Sequence, residues 1–240
     1  MFPPTKICVF CEFLEGYPRC RGAWEIFGSW MFCLYLCELI MQIITIMSAQ
    51  NVYETILASD RTVFTLPLLM TLSGNYDRVA LVRSLYYYRK RGLIDSPRSG
   101  IYVKKGYSNK ELACALYNPS YVSLTTVLSE AGVIFQYSDK VTVVSSLSRT
   151  ISVDGRVYEY RKINPFLWGG MAGIREENGY FIATPERAVL DTMYLYPDIG
   201  YFDNIRGLDF DLIRNLAPDY NNAAFLKRVQ KWIQISISSL

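Results

Sequence analysis

Arg83, Tyr87 and Lys90 follow one another at spacings of four and three, and Tyr76 stands seven residues before Arg83. On a helix this spacing brings the four side chains to one side. A row of guanidinium, phenol and ammonium groups is equipped to hold a polyanion. Arginine can form a bidentate pair with guanine, and lysine and tyrosine can reach phosphates. The local charge agrees. Positions 78–105 hold eight Lys and Arg against one acid, Asp95, so the window carries +7 in a chain of net +3, and the remainder carries −4. A positive patch on a nearly neutral protein is the footprint of a polyanion site, and nucleic acid is the usual polyanion. The competing reading is a solvated charged face.

Other chemistry is restricted by composition. The 240 residues contain no histidine, which removes Ser-His-Asp and Cys-His nucleophilic catalysis, histidine general-base chemistry and every histidine metal site. The carboxylates of the second half (Glu159, Glu176, Glu177, Glu186, Asp191, Asp203) show no spacing that marks a metal or acid/base pair. There is no phosphate-binding glycine loop. The expectation is a protein that is not an enzyme and has no catalytic residues, no metal and no cofactor.

The basic row needs a scaffold. A first helix is expected over 49–58, with Val52, Ile56 and Leu57 as its apolar stripe. Thr65 can cap a second helix over 66–72, with Pro67 in the first turn and Ser73-Gly74 as its stop. Asn75 is the expected cap of a third helix running to Arg91 and ended by Gly92. Projected at 100° per residue, that helix turns Leu81, Leu85 and Tyr88 inward, with Tyr86 partly packed. Tyr76, Arg83, Tyr87 and Lys90 point outward, and Arg91 lies nearer the boundary. Two β-prone runs, 93–94 and 101–105, then flank a polar turn over 95–100, with Arg98 at its tip and Lys104 on the return. Three helices and a basic-tipped hairpin spell a winged helix-turn-helix over 47–107. Its candidate DNA-binding residues are Tyr76, Arg83, Tyr87, Lys90, Arg91, Arg98 and Lys104.

Residues 108–240 read as an α+β domain with a small antiparallel sheet. A helix begins near Glu111 and breaks at Asn118-Pro119. Strands are expected at 140–146, 149–153 and 156–163, the last two joined by the hairpin pair Asp154-Gly155. Thr184, Pro185 and Glu186 form a well-built helix start. Arg187 and Asp191, four apart, can pair on that helix. On an exposed helix such a pair contributes about 0.2–0.5 kcal/mol.

The first 46 residues look foreign to the rest. Five of the six cysteines (Cys8, Cys11, Cys20, Cys33, Cys37) lie there, and residues 26–47 carry one charge, Glu38. Three readings stand side by side. A membrane-spanning or interfacial helix is opposed by Glu38 at mid-span, which costs about 2.5–3.5 kcal/mol on the insertion scale. A thiolate metal site rests on a single Cys-x2-Cys. The third and preferred reading is an upstream-extended start that is not part of the native product, with Met47 opening an ordinary soluble helical protein.

The segments Tyr121-Val122-Ser123-Leu124, Phe166-Leu167-Trp168-Gly169-Gly170 and Ala183-Thr184-Pro185-Glu186-Arg187-Ala188-Val189-Leu190-Asp191 follow the Gly-Leu-Ile and Gly-Ile-Tyr-Val pieces of the hairpin. In this order they resemble the AbiEi-type antitoxins of type IV toxin–antitoxin systems over about residues 50–235. The resemblance implies a cytoplasmic transcriptional autorepressor that binds double-stranded DNA at its own operator. It also implies an antitoxin C-terminal domain that counters a cognate nucleotidyltransferase-like toxin. No membrane is favoured as a partner. Tyr121, Ser123, Thr184, Glu186, Arg187 and Asp191 match the family motifs, and by their chemistry read as structural. The alternative is a membrane-tethered or ligand-responsive winged-helix regulator.

Overall fold

A computed structural model describes residues 52–136, 138–164, 171–198 and 202–238, all within one compact unit, Ser48–Leu240. The apolar stretch 26–47, the five early cysteines and the motif 166–170 lie outside the described residues. No helix among the described residues is long and apolar enough to cross a membrane.

Helix α1 covers 52–58 and buries Val52 and Ile56. Strand β1 (Val63–Thr65) runs directly into α2 (Leu66–Ser73), where the Thr65 hydroxyl accepts from Leu68 N at 3.4 Å. Helix α3 spans Arg78–Lys90, and its cap is Asp77, not Asn75. The Asp77 carboxylate accepts from Val79 N and Ala80 N at 2.9 and 3.2 Å. Asn75 serves the turn before it, accepting from Asp77 N. Both residue types can take either role, and sequence spacing does not separate them. Gly92, at φ 66°, closes α3 in the left-handed region that a side chain would strain.

The residues expected to form a polar turn instead form strand β2 (Asp95–Arg98), which pairs with β3 (Ile101–Val103). Only Ser99 and Gly100 turn the chain. Pro97 is tolerated because β2 is the edge of a three-stranded sheet ordered β1-β3-β2. That sheet has two apolar faces. Phe64 and Tyr102, directly paired, face the cluster of α1, α2 and α3. Val63, Ile101 and Val103 face the opposite way, into a cluster with Leu112 and Ala113 of α4 (Asn109–Leu116).

The second sheet holds β4 (Ser120–Val122), β5 (Val141–Ser145), β6 (Arg149–Val153), β7 (Arg156–Lys162), β8 (Ile174–Glu177) and β9 (Tyr180–Ala183). Their order is β6-β7-β5-β4-β9-β8. The expected small antiparallel sheet is therefore corrected to a six-stranded mixed one, with β5 parallel to β7 and β4 parallel to β9. Parallel pairs join strands distant in sequence and leave no turn signature. The β6–β7 hairpin does follow its signal, with Asp154 and Gly155 at φ 50° and 73°. One face packs on α5 (Thr125–Glu130), α6 (Pro185–Leu195), α7 (Phe210–Leu216) and α8 (Ala223–Ser238). The other packs through Val143, Tyr158 and Tyr160 on α4 and the first sheet.

Several tyrosines inside these layers are held neutral. Tyr160 donates to Ala113 O at 2.8 Å, and burial pushes its pKa up. Burial, then Glu177, pushes Tyr180 up to about 12, and burial pushes the Cys114 thiol up to about 11. A group with a raised folded pKa contributes stability below its unfolded pKa and loses it as pH climbs through the folded value. Stability is therefore expected to be flat up to about pH 9 and to fall between about pH 10 and 12. Chemical denaturation followed across that range checks this. Tyrosinate absorbance should rise first for the exposed tyrosines and, for the buried ones, only together with unfolding.

Candidate nucleic-acid interface

Helix α3 is sharply two-sided. Leu81, Ser84, Leu85 and Tyr88 are buried, and Tyr88 stacks on Tyr53 of α1 with ring centroids 4.9 Å apart. Arg78, Arg83, Tyr86, Tyr87, Arg89 and Lys90 are exposed, as are Tyr76 before the helix and Arg91 after it. Tyr86, expected to be partly packed, is 58 % exposed and belongs to the outer face. Arg91 lies 4.4 Å from the Tyr87 ring centroid, and Arg89 lies 5.8 Å from that of Tyr86. The outer face thus carries guanidiniums resting on aromatic rings, which holds their planes in preferred orientations.

Charge balance on this face is one-sided. Among the described residues, none of Arg78, Arg83, Arg89, Lys90 and Arg91 forms an ion pair. The nearest acid along the chain, Asp77, is engaged with backbone N–H groups. An uncompensated row of cations on one helix face is what a polyanion would neutralise.

The hairpin contributes differently from its sequence reading. Arg98 is exposed, ends β2 and donates to the Tyr117 hydroxyl at 3.5 Å, with its guanidinium 5.5 Å from that ring. Tyr117 packs edge-on against Tyr160 at 4.8 Å, and Arg149 of β6 stands opposite Tyr160. The hydrogen bond from Arg98, with further help from Arg149, holds the Tyr117 pKa below its ordinary value. Two exposed arginines therefore flank one phenol. Arg149 escapes sequence reading because it is far from Arg98 along the chain and approaches only through the β6–β7 pairing.

Lys104 is placed away from this group. Its ammonium donates to Ser59 O at 2.5 Å and Leu57 O at 3.4 Å and lies 5.9 Å from the Phe64 ring. It satisfies carbonyls at the end of α1, where a cation also suits the helix dipole.

The motif residues of the second half come together elsewhere, in the interior. Arg187 and Asp191 of α6 pair at 3.3 Å, and both side chains are fully buried, not exposed as the helix spacing suggested. The carboxylate also accepts from Tyr121 at 3.1 Å, Ser123 at 2.7 Å and Tyr220 at 2.6 Å. Burial pushes the Asp191 carboxyl up, while Arg187 and the three hydroxyls oppose that push. Arg187 also donates to Ala172 O at 3.2 Å and lies 4.9 Å from the Tyr220 ring centroid. Gly173, at φ 73°, makes room for it, since a Cβ there would stand 2.9 Å from Arg187 Cβ. Thr184 caps α6 by accepting from Arg187 N, and Glu186 accepts from Asp209 N ahead of α7. Thr184 and Glu186 tie helix ends, and the other four tie β4 to α6. The network is closed to solvent, so its chemistry is cohesion between elements.

Comparison with known proteins finds no matching family model and no matching curated sequence.

Proposed function

We propose that residues 52–103 form a winged helix that binds double-stranded DNA, with α3 in the major groove and the β2–β3 hairpin as the wing. The order helix, strand, helix, helix, strand, strand and the sheet order β1-β3-β2 support this reading. The observation that carries it is the outer face of α3. There, arginine, tyrosine and lysine are exposed and without ion-pair partners among the described residues, and the opposite face is buried. Arg83, Tyr87 and Lys90 are assigned to the groove, and Tyr76 and Arg91 to its flanks. Arg98 and Arg149 are assigned to backbone phosphate beside the hairpin.

The resemblance to AbiEi-type antitoxins extends the proposal. The chain represses its own operon, and its second half counters a nucleotidyltransferase-like toxin. Titration of a labelled fragment of the DNA upstream of the coding sequence, against a random duplex, tests the DNA reading. Arg83→Ala is expected to weaken the specific fragment by about 1–3 kcal/mol and to narrow the preference over random sequence. Arg98→Ala and Arg149→Ala are expected to weaken both duplexes alike, each reducing the salt slope by about one. Equal affinity of the parent chain for the two duplexes overturns the assignment. Co-expression with the product of the neighbouring reading frame tests the antitoxin half, with rescue of growth as the expected result.

A further inference from the structure

The middle of the outer face of α3 is not uniformly polar. Leu81, Ser84, Leu85 and Tyr88 mark the buried side. At 100° per residue, the line opposite them runs through Val79, Arg83, Tyr86 and Lys90, at successive spacings of four, three and four. Val79 is 69 % exposed, and Val82, three residues on, is 39 % exposed. Single valines scattered over a surface are ordinary. These two stand together at the start of a helix whose other exposed side chains are cations and tyrosines. Helix propensity does not call for them, since β-branched residues form helices less readily than alanine or lysine.

The branching suits valine to a fixed contact. In a helix it keeps one strongly preferred rotamer, so its methyl groups point in a set direction. The start of α3 is fixed as well, because the Asp77 carboxylate accepts from Val79 N at 2.9 Å. On the base edges of the major groove one group is apolar, the C5-methyl of thymine. A recognition helix reads bases with its N-terminal residues, and Val79 stands in the first turn. The cations Arg89, Lys90 and Arg91 gather at the other end, and a phosphate would give the valines nothing to bury against. Side chains four apart on a helix lie about 5–6 Å from each other. Bases stack about 3.4 Å apart along a strand, so the bases met by Val79 and Arg83 are within about two base pairs.

We propose that Val79 reads the methyl group of a thymine lying within about two base pairs of the guanine read by Arg83. This inference rests on the DNA reading of α3 and adds the identity of a second base. In the test, duplexes are selected from a randomised library with the intact chain. Each thymine of the enriched sequence is then replaced in turn by deoxyuridine, which removes the methyl and keeps the base pair. One replacement, near the guanine at which Arg83→Ala loses discrimination, is expected to weaken the parent about fourfold, the worth of one buried methyl. Val79→Ala is expected to bind the thymine duplex about fourfold more weakly than the parent and to bind the thymine and deoxyuridine duplexes alike. Its unfolding midpoint should not fall, because the side chain is exposed. Arg83→Ala should keep the response to deoxyuridine. A parent chain that enriches no sequence overturns the DNA reading and this assignment with it. A parent that enriches a sequence yet ignores every deoxyuridine overturns the thymine assignment alone. So does a Val79→Ala chain that keeps the parent's response.

Discussion

Replacing Asp191 by alanine is expected to lower the free energy of unfolding by about 3–5 kcal/mol. The change leaves the Arg187 guanidinium uncompensated in a fully buried position and removes the acceptor for the hydroxyls of Tyr121, Ser123 and Tyr220. For a chain of this size, about 2–4 °C per kcal/mol translates this into a midpoint about 6–20 °C lower. Asp191→Asn, which keeps acceptor capacity and loses the charge, should fall between the two. Adding Arg187→Met to Asp191→Ala should recover part of the loss, because it removes the stranded cation. Urea titration of the parent, Asp191→Ala, Arg187→Met and the double variant gives the coupling energy directly. A loss below about 1 kcal/mol for Asp191→Ala would place the pair in water, against its burial.

The largest effect on function is expected from reversing charge on α3. The double change Arg83→Glu and Lys90→Glu should weaken binding to the upstream fragment by more than about 3 kcal/mol at about 0.1 M salt. Removing the base contact of Arg83 accounts for about 1–3 kcal/mol of that. The rest comes from the lost phosphate contact of Lys90 and the repulsion that the two new carboxylates introduce, and the salt slope should fall by at least about one. Unfolding should shift by less than about 0.5 kcal/mol, because both side chains are exposed and neither forms an ion pair among the described residues. Fluorescence anisotropy and thermal denaturation on the same preparation separate the two quantities. A double variant that binds like the parent would mean that α3 does not face the duplex.

The legible parts of this fold are those whose cause is local. Leu81, Leu85 and Tyr88 recur at helical spacing, and all three are buried on α3. Thr184-Pro185-Glu186 spells a helix start, and α6 begins there. Asp154-Gly155 spells a tight hairpin, and β6 and β7 meet there. The misread parts depend on distant partners. Asp95-Ser96-Pro97-Arg98 has turn composition, yet pairing with β3 draws it into a strand. Arg187 and Asp191 have the spacing of a surface ion pair, yet Tyr121 and Tyr220, from other elements, cover them. Of the candidate interface, the α3 row could be read by projection. Arg149 could not, since only the order of the second sheet brings it beside Tyr117.

The small sheet β1-β3-β2 is a party wall, with apolar side chains on both surfaces and a different core on each. The basic helix is therefore not a head on a tether. Whatever the far half holds is carried at a set distance and heading from whatever α3 touches, with no linker to average the geometry. Severing the chain behind β3 would strip Val63, Ile101 and Val103 of their cover and leave the shorter piece with a sticky flank.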